Sequence, residues 1–388
     1  MDIEKLKART IGEVDARHEE LVELSLRIHQ NPELGFQEVK ASGWLTEYLG
    51  RNGFKVEKGI CQLATAFKGS YGSGKPAIAL LAEYDALPKL GHACGHNIIA
   101  TAAVGAAVAA RVAIDEMGGG VVVIGTPAEE LYGGKIIMAE RGAFENIDAA
   151  MIVHPSVVDM ASIQALACIG LEVEFWGKAA HAAVYPHEGV NALEAMIQAF
   201  NGINSLRQHI REQARIHGII TQGGEAPNIV PAYTAASFLV RAEDDVYLDE
   251  LKEKVLNCFK AASLATGARL EYKWVAHYAP LKTNFVLADL FAKNMEALGR
   301  NLWPTLNRGL GSSDVGNVSV LVPTIHPMVA IAPIDVLAHS PEFAEAAASE
   351  EGNRGLLDGA KALAMTVVDL ITQPGIMDRI KEEFSASK

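Results

Sequence analysis

Two residues that can chelate a metal ion, Cys94 and His96, lie two positions apart in the chain. A thiolate and an imidazole at this spacing suit a divalent metal of borderline softness such as zinc. Positions i and i+2 of a helix face different directions, so the pair is expected on a tight turn before a helix. The small apolar residues 98–110 predict that helix. A Cys-x-His pair alone is equally compatible with a structural cysteine beside a core histidine.

Four more side chains that can bind a metal or a proton follow apolar, strand-like runs: Glu129, Glu130, His154 and His339. Each histidine alone is more often a core or loop residue. An open α/β sheet, however, gathers its active site at the carboxyl ends of its strands, so these positions are predicted to meet. Adjacent glutamates beyond a strand end can point opposite ways, so that one binds a metal while the other faces a bound water.

The elements that position these residues alternate between helix-like and strand-like segments up to His154. This pattern predicts an α/β fold with a mostly parallel sheet flanked by helices. Strand-like runs at 63–68 and 77–82 flank a glycine- and serine-rich turn at 69–76, which we interpret as a hairpin connection. The turn nearly spells a phosphate-binding loop, but Pro76 replaces the required serine or threonine, and a strand follows it.

The middle of the chain has the order β-α-β-β-α-β, which is typical of a ferredoxin-like domain. The strand-like runs are 169–176, 216–222, 233–241 and 269–274, and the helical runs are 190–210 and 247–265. An insertion of this length can fold as a small domain. We therefore predict a catalytic domain in two parts, residues 1–168 and 280–388, and an inserted α+β domain at 169–279. The second part is predicted to contain helices at 285–298 and 351–371.

Six motifs resemble those of the dinuclear metallo-aminoacylase and glutamate carboxypeptidase family, in the amidohydrolase branch with auxin-conjugate and aminobenzoyl-glutamate hydrolases. They span nearly the whole chain: Asp85-Ala86-Leu87-Pro88, His92-Ala93-Cys94-Gly95-His96, Pro127-Ala128-Glu129-Glu130, His154, Gly177-Lys178-Ala179-Ala180-His181-Ala182 and His339-Ser340-Pro341. The resemblance implies a zinc-exopeptidase-like sheet with an inserted lid domain. It also implies two divalent metal ions per subunit, zinc or manganese, held by Cys94, His96, Glu130, His154 and His339. By the same resemblance Glu129 is the general base. Asp85 is expected either to orient one of the metal ligands or to interact electrostatically with the metal ions.

The resemblance gives the inserted domain two more roles. His181 is expected to reach the metal site of a neighbouring subunit and to stabilise the oxyanion of the reaction. Asn228 and Arg241 are expected to hold the substrate carboxylate, a task that suits the planar guanidinium. The family's insertion also makes the dimer contact, so a homodimer is expected. Without the metal motifs, loop contacts for His181 and Asn228 and a surface ion pair for Arg241 would be favoured.

Two residues beside the metal motifs depart from the family pattern. Asn97 stands where many auxin-conjugate hydrolases have aspartate, and Glu83 replaces the aspartate usual two positions before Asp85. Both differences favour the aminobenzoyl-glutamate and dipeptide side of the family over auxin conjugates. Two features stay open: the segment 311–314 lines the substrate pocket or forms a turn with an aspartate cap, and His326 has no assigned partner.

Composition excludes several classes of protein. The 388 residues are enough for two domains with substantial cores. The formal net charge of −13 argues against binding to nucleic acid or to an anionic membrane surface. The four scattered cysteines indicate a reducing compartment, and the charged segment 1–7 lacks the apolar core of a signal peptide. We therefore expect a cytoplasmic protein. The apolar stretch 98–114 is alanine-rich and interrupted by Arg111, which favours a buried helix.

The predicted reaction is metal-dependent hydrolysis of an amide bond adjacent to a free carboxylate. The substrate would be an N-acyl amino acid, an aminobenzoyl-glutamate-like conjugate or a small dipeptide. Two metal ions lower the pKa of a bound water and polarise the carbonyl, and Glu129 carries the proton to the leaving amine. Two alternatives stay open at this point: a thiol hydrolase with Cys94 as nucleophile, and a catalytically silent metal-binding scaffold.

Overall fold

The computed structural model describes residues 2–304 and 311–386. Contacts divide the chain into two compact units. The inserted unit contains Ala165–Pro280 and the short segment that ends at Ser313, and the larger unit contains the chain before and after it. The insertion predicted at 169–279 falls within the limits of the inserted unit.

Among the described residues, the larger unit has three helices before its first strand and three after its last strand. The helices in the described residues are α1 (Ile3–Asp15), α2 (His18–His29), α3 (Val39–Arg51), α4 (His96–Met117), α5 (Glu129–Tyr132), α6 (Gly134–Glu140), α7 (Ala192–Leu206), α8 (Asp245–Thr266), α9 (Phe285–Ala297), α10 (Val315–Ser319), α11 (Pro341–Ala346), α12 (Glu350–Thr372) and α13 (Ile376–Ala386). The strands are β1 (Lys55–Lys58), β2 (Phe67–Gly72), β3 (Ala77–Ala82), β4 (Gly120–Gly125), β5 (Ala149–Met151), β6 (His154–Ser156), β7 (Ala167–Trp176), β8 (Arg215–Gln222), β9 (Tyr233–Ala242), β10 (Arg269–Tyr278), β11 (Thr324–Ile325) and β12 (Met328–Ala330).

The larger unit is built on a six-stranded sheet in the order β1-β2-β4-β3-β5-β11. The four strands from β4 to β11 run parallel, and β2 and β1 extend the sheet antiparallel at one edge. β3 and β4 are continuous apolar runs because both faces of a parallel sheet are covered by helices. The predicted mostly parallel α/β sheet is therefore confirmed.

The predicted hairpin between residues 63–68 and 77–82 is wrong. β2 lies later than expected, so Gly69 is part of the strand and not of a turn. β2 and β3 do not pair, because β4 lies between them and pairs with both. The glycine is needed for packing, since a Cβ at Gly69 would lie 2.7 Å from the Leu49 side chain of α3. Glycine usually indicates a turn, but here it is required by packing within a strand.

α4 is the central helix of the larger unit and confirms the helix predicted over 98–110. It packs against α12, α1 and α2, and its small residues let these helices approach closely; a Cβ at Gly105 would lie 3.0 Å from Leu21. By length and composition α4 is apolar enough to cross a membrane, yet 89% of its most apolar window is buried inside the protein. The predicted helices near 285–298 and 351–371 are α9 and α12, and α13 follows them unpredicted.

The inserted unit confirms the β-α-β-β-α-β order. Its four strands form one antiparallel sheet in the order β10-β7-β9-β8. The unit has a hydrophobic core of its own, built from α7, α8 and alternate strand residues such as Leu171, Val173 and Phe175 of β7. The alternation follows from the two-residue period of a strand that buries one face.

Candidate metal centre

The turn that carries Cys94 and His96 leads directly into α4, whose first residue is His96. Gly95 between them has φ of +77°, a conformation that favours glycine. A Cβ at Gly95 would also lie 2.7 Å from Pro155, so the turn packs directly against the residue after His154. As a result, Cys94 Sγ lies 3.4 Å from His154 Nε2.

The two glutamates follow a left-handed residue at the end of β4. Ala128 has φ of +61°, and its N–H donates to Glu38 Oε1 at 2.8 Å. A strained non-glycine backbone of this kind is characteristic of functional sites that the surrounding structure holds in place. The next turn is fixed by the Glu130 N–H, which donates to Asp85 Oδ2 at 3.0 Å. Glu129 and Glu130 are therefore presented by a turn that two carboxylates hold.

His339 reaches the same place from the other end of the chain. It also has positive φ, +62°, and its N–H donates to the Ala93 carbonyl at 2.9 Å. This bond ties the His339 loop to the turn that carries Cys94. His339 Nε2 lies 3.6 Å from Glu130 Oε1.

The five predicted ligands thus come together as two overlapping groups. In each group one ligand atom per residue lies within 4.8 Å of the others: Cys94, His96 and His154 in the first, and Cys94, Glu130 and His339 in the second. In tetrahedral zinc sites, sulfur, nitrogen and oxygen ligands lie about 3.4–3.6 Å apart across the ion. The 3.4 Å and 3.6 Å contacts above, and the 3.7 Å from His96 Nε2 to Glu130 Oε1, match this spacing.

The unpaired atoms of the cluster also fit a metal centre. His96 Nε2 and Glu130 Oε1 are buried and have no hydrogen-bond partner among the described residues. Buried polar atoms without partners are costly, and they are expected where a ligand completes the site. Because the donor set combines thiolate, imidazole and carboxylate, the residues present fit zinc or a similar divalent ion.

Asp85 supports two of the ligands. Its Oδ1 lies 3.0 Å from His96 Nδ1, and its Oδ2 accepts the Glu130 N–H. This is the arrangement in which a carboxylate orients a metal-bound histidine through its second ring nitrogen. Although burial opposes it, the charge and hydrogen bond of Asp85 raise the pKa of His96 well above its usual value.

Behind Glu129 lies a buried ionic network that the sequence reasoning missed. Lys135, at the start of α6, is completely buried and lies 2.6 Å from Glu83 Oε1 and 2.7 Å from Asp314 Oδ1. Asp314 occupies the N-cap position of α10, but its carboxylate accepts the Lys135 N–H and makes no capping hydrogen bond to that helix. The sequence signal was a single lysine in the otherwise apolar run 134–138, but its two partners are distant in the chain.

Electrostatics in this network raise the pKa of two carboxyl groups, Glu129 and Asp314, and lower that of the third, Glu83. Burial, together with the charges of Glu83 and Asp314, raises the pKa of Glu129 well above its usual value. Burial likewise raises the pKa of Asp314 to about 6, although Lys135 opposes the shift. Burial would raise the pKa of Glu83 too, but the nearby Lys135 and His96 hold it below its usual value.

His326 is a second residue that the sequence left unassigned. Its ring lies 5.4 Å from that of His154, and burial lowers its pKa to about 3. Neither ring nitrogen has a hydrogen-bond partner among the described residues. The structure therefore places a neutral imidazole beside a predicted metal ligand.

The inserted unit separates the three residues that the sequence assigned to it. His181 and Asn228 are exposed neighbours, because His181 bridges to Ile229 and the Asn228 carbonyl accepts the Ala182 N–H. Arg241 lies at the far end of β9, which begins at Tyr233 near Asn228, and the strand spans roughly 27 Å between Tyr233 and Arg241. Its Nη1 donates to Ser312 Oγ at 3.1 Å.

Comparison with known proteins identifies relatives that match nearly the whole chain. Residues 168–266 match the model of a peptidase dimerisation domain. A Mus musculus protein named Xaa-Arg dipeptidase is 39% identical over 99% of this chain and 93% of its own. One of the subunits of the Escherichia coli p-aminobenzoyl-glutamate hydrolase is 29% identical over 95% of this chain and 93% of its own.

Solved structures show the same fold. An aminobenzoyl-glutamate utilization protein from Klebsiella pneumoniae superposes with a TM-score of 0.73 at 16% identity, covering 92% of this chain and 97% of its own. A Bacillus subtilis protein, described as a dinuclear metal binding peptidase from the M20 family, has a TM-score of 0.70 at 18% identity. It covers 92% of this chain and 99% of its own.

Proposed function

Because the chain belongs to the M20 family of peptidases and is a metal-dependent amidohydrolase, we propose that it is a dipeptidase for substrates with a basic C-terminal residue. The observation that carries the reaction class is the convergence of Cys94, His96, Glu130, His154 and His339 beside Glu129. The substrate proposal is supported by the relatives named Xaa-Arg dipeptidase, which match nearly the whole chain. A net charge of −13 also favours the approach of a cationic substrate.

The five side chains are proposed to hold two divalent ions, zinc or manganese. Cys94 belongs to both groups, so its thiolate would be a ligand in either one. When bound, such ions polarise a carbonyl and lower the pKa of water. Asp85 keeps His96 Nε2 turned towards the centre by holding Nδ1. A thiolate among the ligands favours zinc.

Glu129 is proposed as the general base. Glu129 belongs to neither of the two ligand groups that contain Cys94. One of its carboxylate oxygens nevertheless lies within 4.8 Å of a ligand atom of His96 and of Glu130. A carboxylate in this place can accept the proton of the attacking water and return it to the leaving nitrogen.

His181 is proposed to donate a hydrogen bond to the oxyanion. Its Nδ1 accepts the Ala183 N–H at 3.3 Å, so in the neutral ring the proton is on Nε2. Preorganised donors of this kind stabilise the charge that develops on the carbonyl oxygen.

A homodimer is proposed because Asn228 and Arg241 lie at opposite ends of β9. Within one inserted unit they cannot hold the same carboxylate, so we infer that they come from different subunits. His181, which neighbours Asn228, would then serve the partner's site as well. The match to a peptidase dimerisation domain supports this assembly.

The test of the proposed function is a substrate panel with metal-loaded protein. Alanyl-arginine should be hydrolysed with the highest kcat/KM, ahead of N-acetyl-arginine and p-aminobenzoyl-glutamate. The C-terminal amide of alanyl-arginine should raise KM about tenfold to a hundredfold, the value of a charged hydrogen bond. An unchanged KM would show that Arg241 does not bind the substrate carboxylate.

Metal removal separates this proposal from the two alternatives. Dialysis against a chelator should abolish hydrolysis, and added zinc or manganese should restore it. Activity that survives the chelator but is lost on alkylation would identify Cys94 as a nucleophile. No hydrolysis of any member of the panel by metal-loaded protein would leave the silent scaffold as the remaining explanation.

A further inference from the structure

Lys135 is a completely buried cation that the proposed reaction does not use. Its ammonium contacts Glu83 and Asp314 at 2.6 Å and 2.7 Å, and its backbone N–H donates to the second oxygen of Asp314 at 2.9 Å. Both ends of the residue are therefore fixed to the same aspartate. Burying a charged group costs free energy because the group loses its hydration, and here the two carboxylates compensate for that loss. The ammonium group is therefore held firmly in this position.

The two carboxylates that pair with Lys135 lie close to Glu129. One oxygen each of Glu83, Glu129 and Asp314 lies within 4.8 Å of the others, an arrangement that could itself hold a metal ion. In this chain the lysine ammonium already forms ion pairs with two of the three, Glu83 and Asp314. Without that positive charge the three carboxylates would repel one another at close range.

We propose that Lys135 is a positioning residue for Glu129: its ammonium takes the place of a cation among Glu83, Glu129 and Asp314 and keeps the base beside the metal ligands. This inference rests on the proposed role of Glu129. Glu83 of the same network also lies near a metal ligand, since its Oε2 is 3.6 Å from His96 Nε2. The network therefore links α6 and the Asp314 segment to both the base and a metal ligand.

The competing explanation is an ion pair that only stabilises the larger unit, and a double-mutant cycle separates the two. Lys135→Met/Asp314→Asn removes one charge of each sign, because Lys135→Met alone leaves unpaired buried carboxylates and risks unfolding. The pair is introduced into the wild type and into Glu129→Gln. Steady-state kinetics with alanyl-arginine and the bound-metal content are measured for all four proteins. The matched control is Lys7→Met/Asp369→Asn, which removes the 2.7 Å ion pair between α1 and α12.

In the wild-type background we expect kcat to fall about tenfold to a hundredfold, the cost of a misplaced catalytic group, with KM within about threefold. Bound metal should stay at the wild-type amount. In the Glu129→Gln background the Lys135→Met/Asp314→Asn substitutions should change kcat by less than about threefold, because the carboxylate that they would displace is already absent. The control pair should lower Tm and leave kcat unchanged.

Three results would overturn the proposal: a wild-type kcat in the Lys135→Met/Asp314→Asn protein, an equal fall in kcat in both backgrounds, or loss of bound metal. Failure of the proposed function looks different. If Glu129→Gln by itself keeps the wild-type kcat, the role of Glu129 is wrong, whatever the Lys135 pair does.

Discussion

At the scale of single residues, the site is defined by the groups that hold each side chain in place. The ligands and their immediate support could be predicted from motifs, because Cys94, His96 and Asp85 lie close together in sequence. Lys135 and Asp314 could not, because their pairing joins residues 179 positions apart and no local pattern marks a buried ion pair. His326 could not be predicted because the ring it lies beside, that of His154, is distant in the sequence.

Asp85→Asn tests the support of the ligands. The amide keeps the size of Asp85 but places an N–H₂ group against either His96 Nδ1 or the Glu130 N–H, so one ligand loses its acceptor. We expect metal affinity to fall about tenfold to a hundredfold, measured by competition with a chelating dye. Asp115→Asn, at a surface carboxylate that accepts from the Tyr71 hydroxyl, is the control. Unchanged affinity would show that Asp85 does not orient a ligand.

At the scale of elements, the ends of strands and the starts of helices create the site. α4 was predictable from its apolar run, and the β-α-β-β-α-β order of the inserted unit from alternation. The bounds of β2 were not predictable, because Gly69 is required to make room for Leu49 but, as a glycine, indicates a turn in the sequence. The left-handed residue Ala128 was also not predictable, since its conformation depends on the buried Glu38 of the segment before α3.

Glu38 gives the larger unit a pH-dependent stability. Burial raises its pKa from the ordinary 4.5 to about 7, although its hydrogen bonds oppose the shift. The folded protein therefore binds a proton that the unfolded chain has lost, and stability falls as pH rises from about 4.5 to 7. Glu38→Gln keeps the acceptor for Ala128 and removes the charge. The free energy of unfolding of the variant minus that of wild type should be larger by roughly 2–3 kcal/mol at pH 8 than at pH 5, because only the wild type loses stability as pH rises.

Urea unfolding at the two pH values measures this difference. Glu47→Gln, on the exposed side of α3, should show the same difference from wild type at both pH values. A pH-independent difference for Glu38→Gln as well would mean that Glu38 is not held neutral in the folded protein.

At the scale of the whole molecule, the claim is that one subunit completes the site of another. The inserted unit has its own core and sheet, and a peptidase dimerisation domain matches most of it. His181 and Asn228 lie together at one end of that sheet and Arg241 at the other. Two-fold symmetry can bring one end from each subunit to the same substrate.

Mixing two inactive variants tests the assembly. Glu129→Gln and His181→Ala should each be inactive, and their equal mixture should recover about a quarter of the wild-type turnover per subunit. Random exchange makes half of the dimers mixed, and each mixed dimer has one intact site. Glu129→Gln mixed with the Glu129→Gln/His181→Ala double variant has no intact site and should stay inactive. No recovery despite proven subunit exchange would contradict the shared site.

The central claim is that Glu130 holds metal while the adjacent Glu129 moves the proton. The most direct measurement is bound metal and kcat on the same samples of Glu129→Gln and Glu130→Gln. We predict wild-type metal content with kcat reduced by about two orders of magnitude or more in Glu129→Gln, and reduced metal content in Glu130→Gln. Glu129→Gln emptied of metal, with full metal content in Glu130→Gln, would contradict the account.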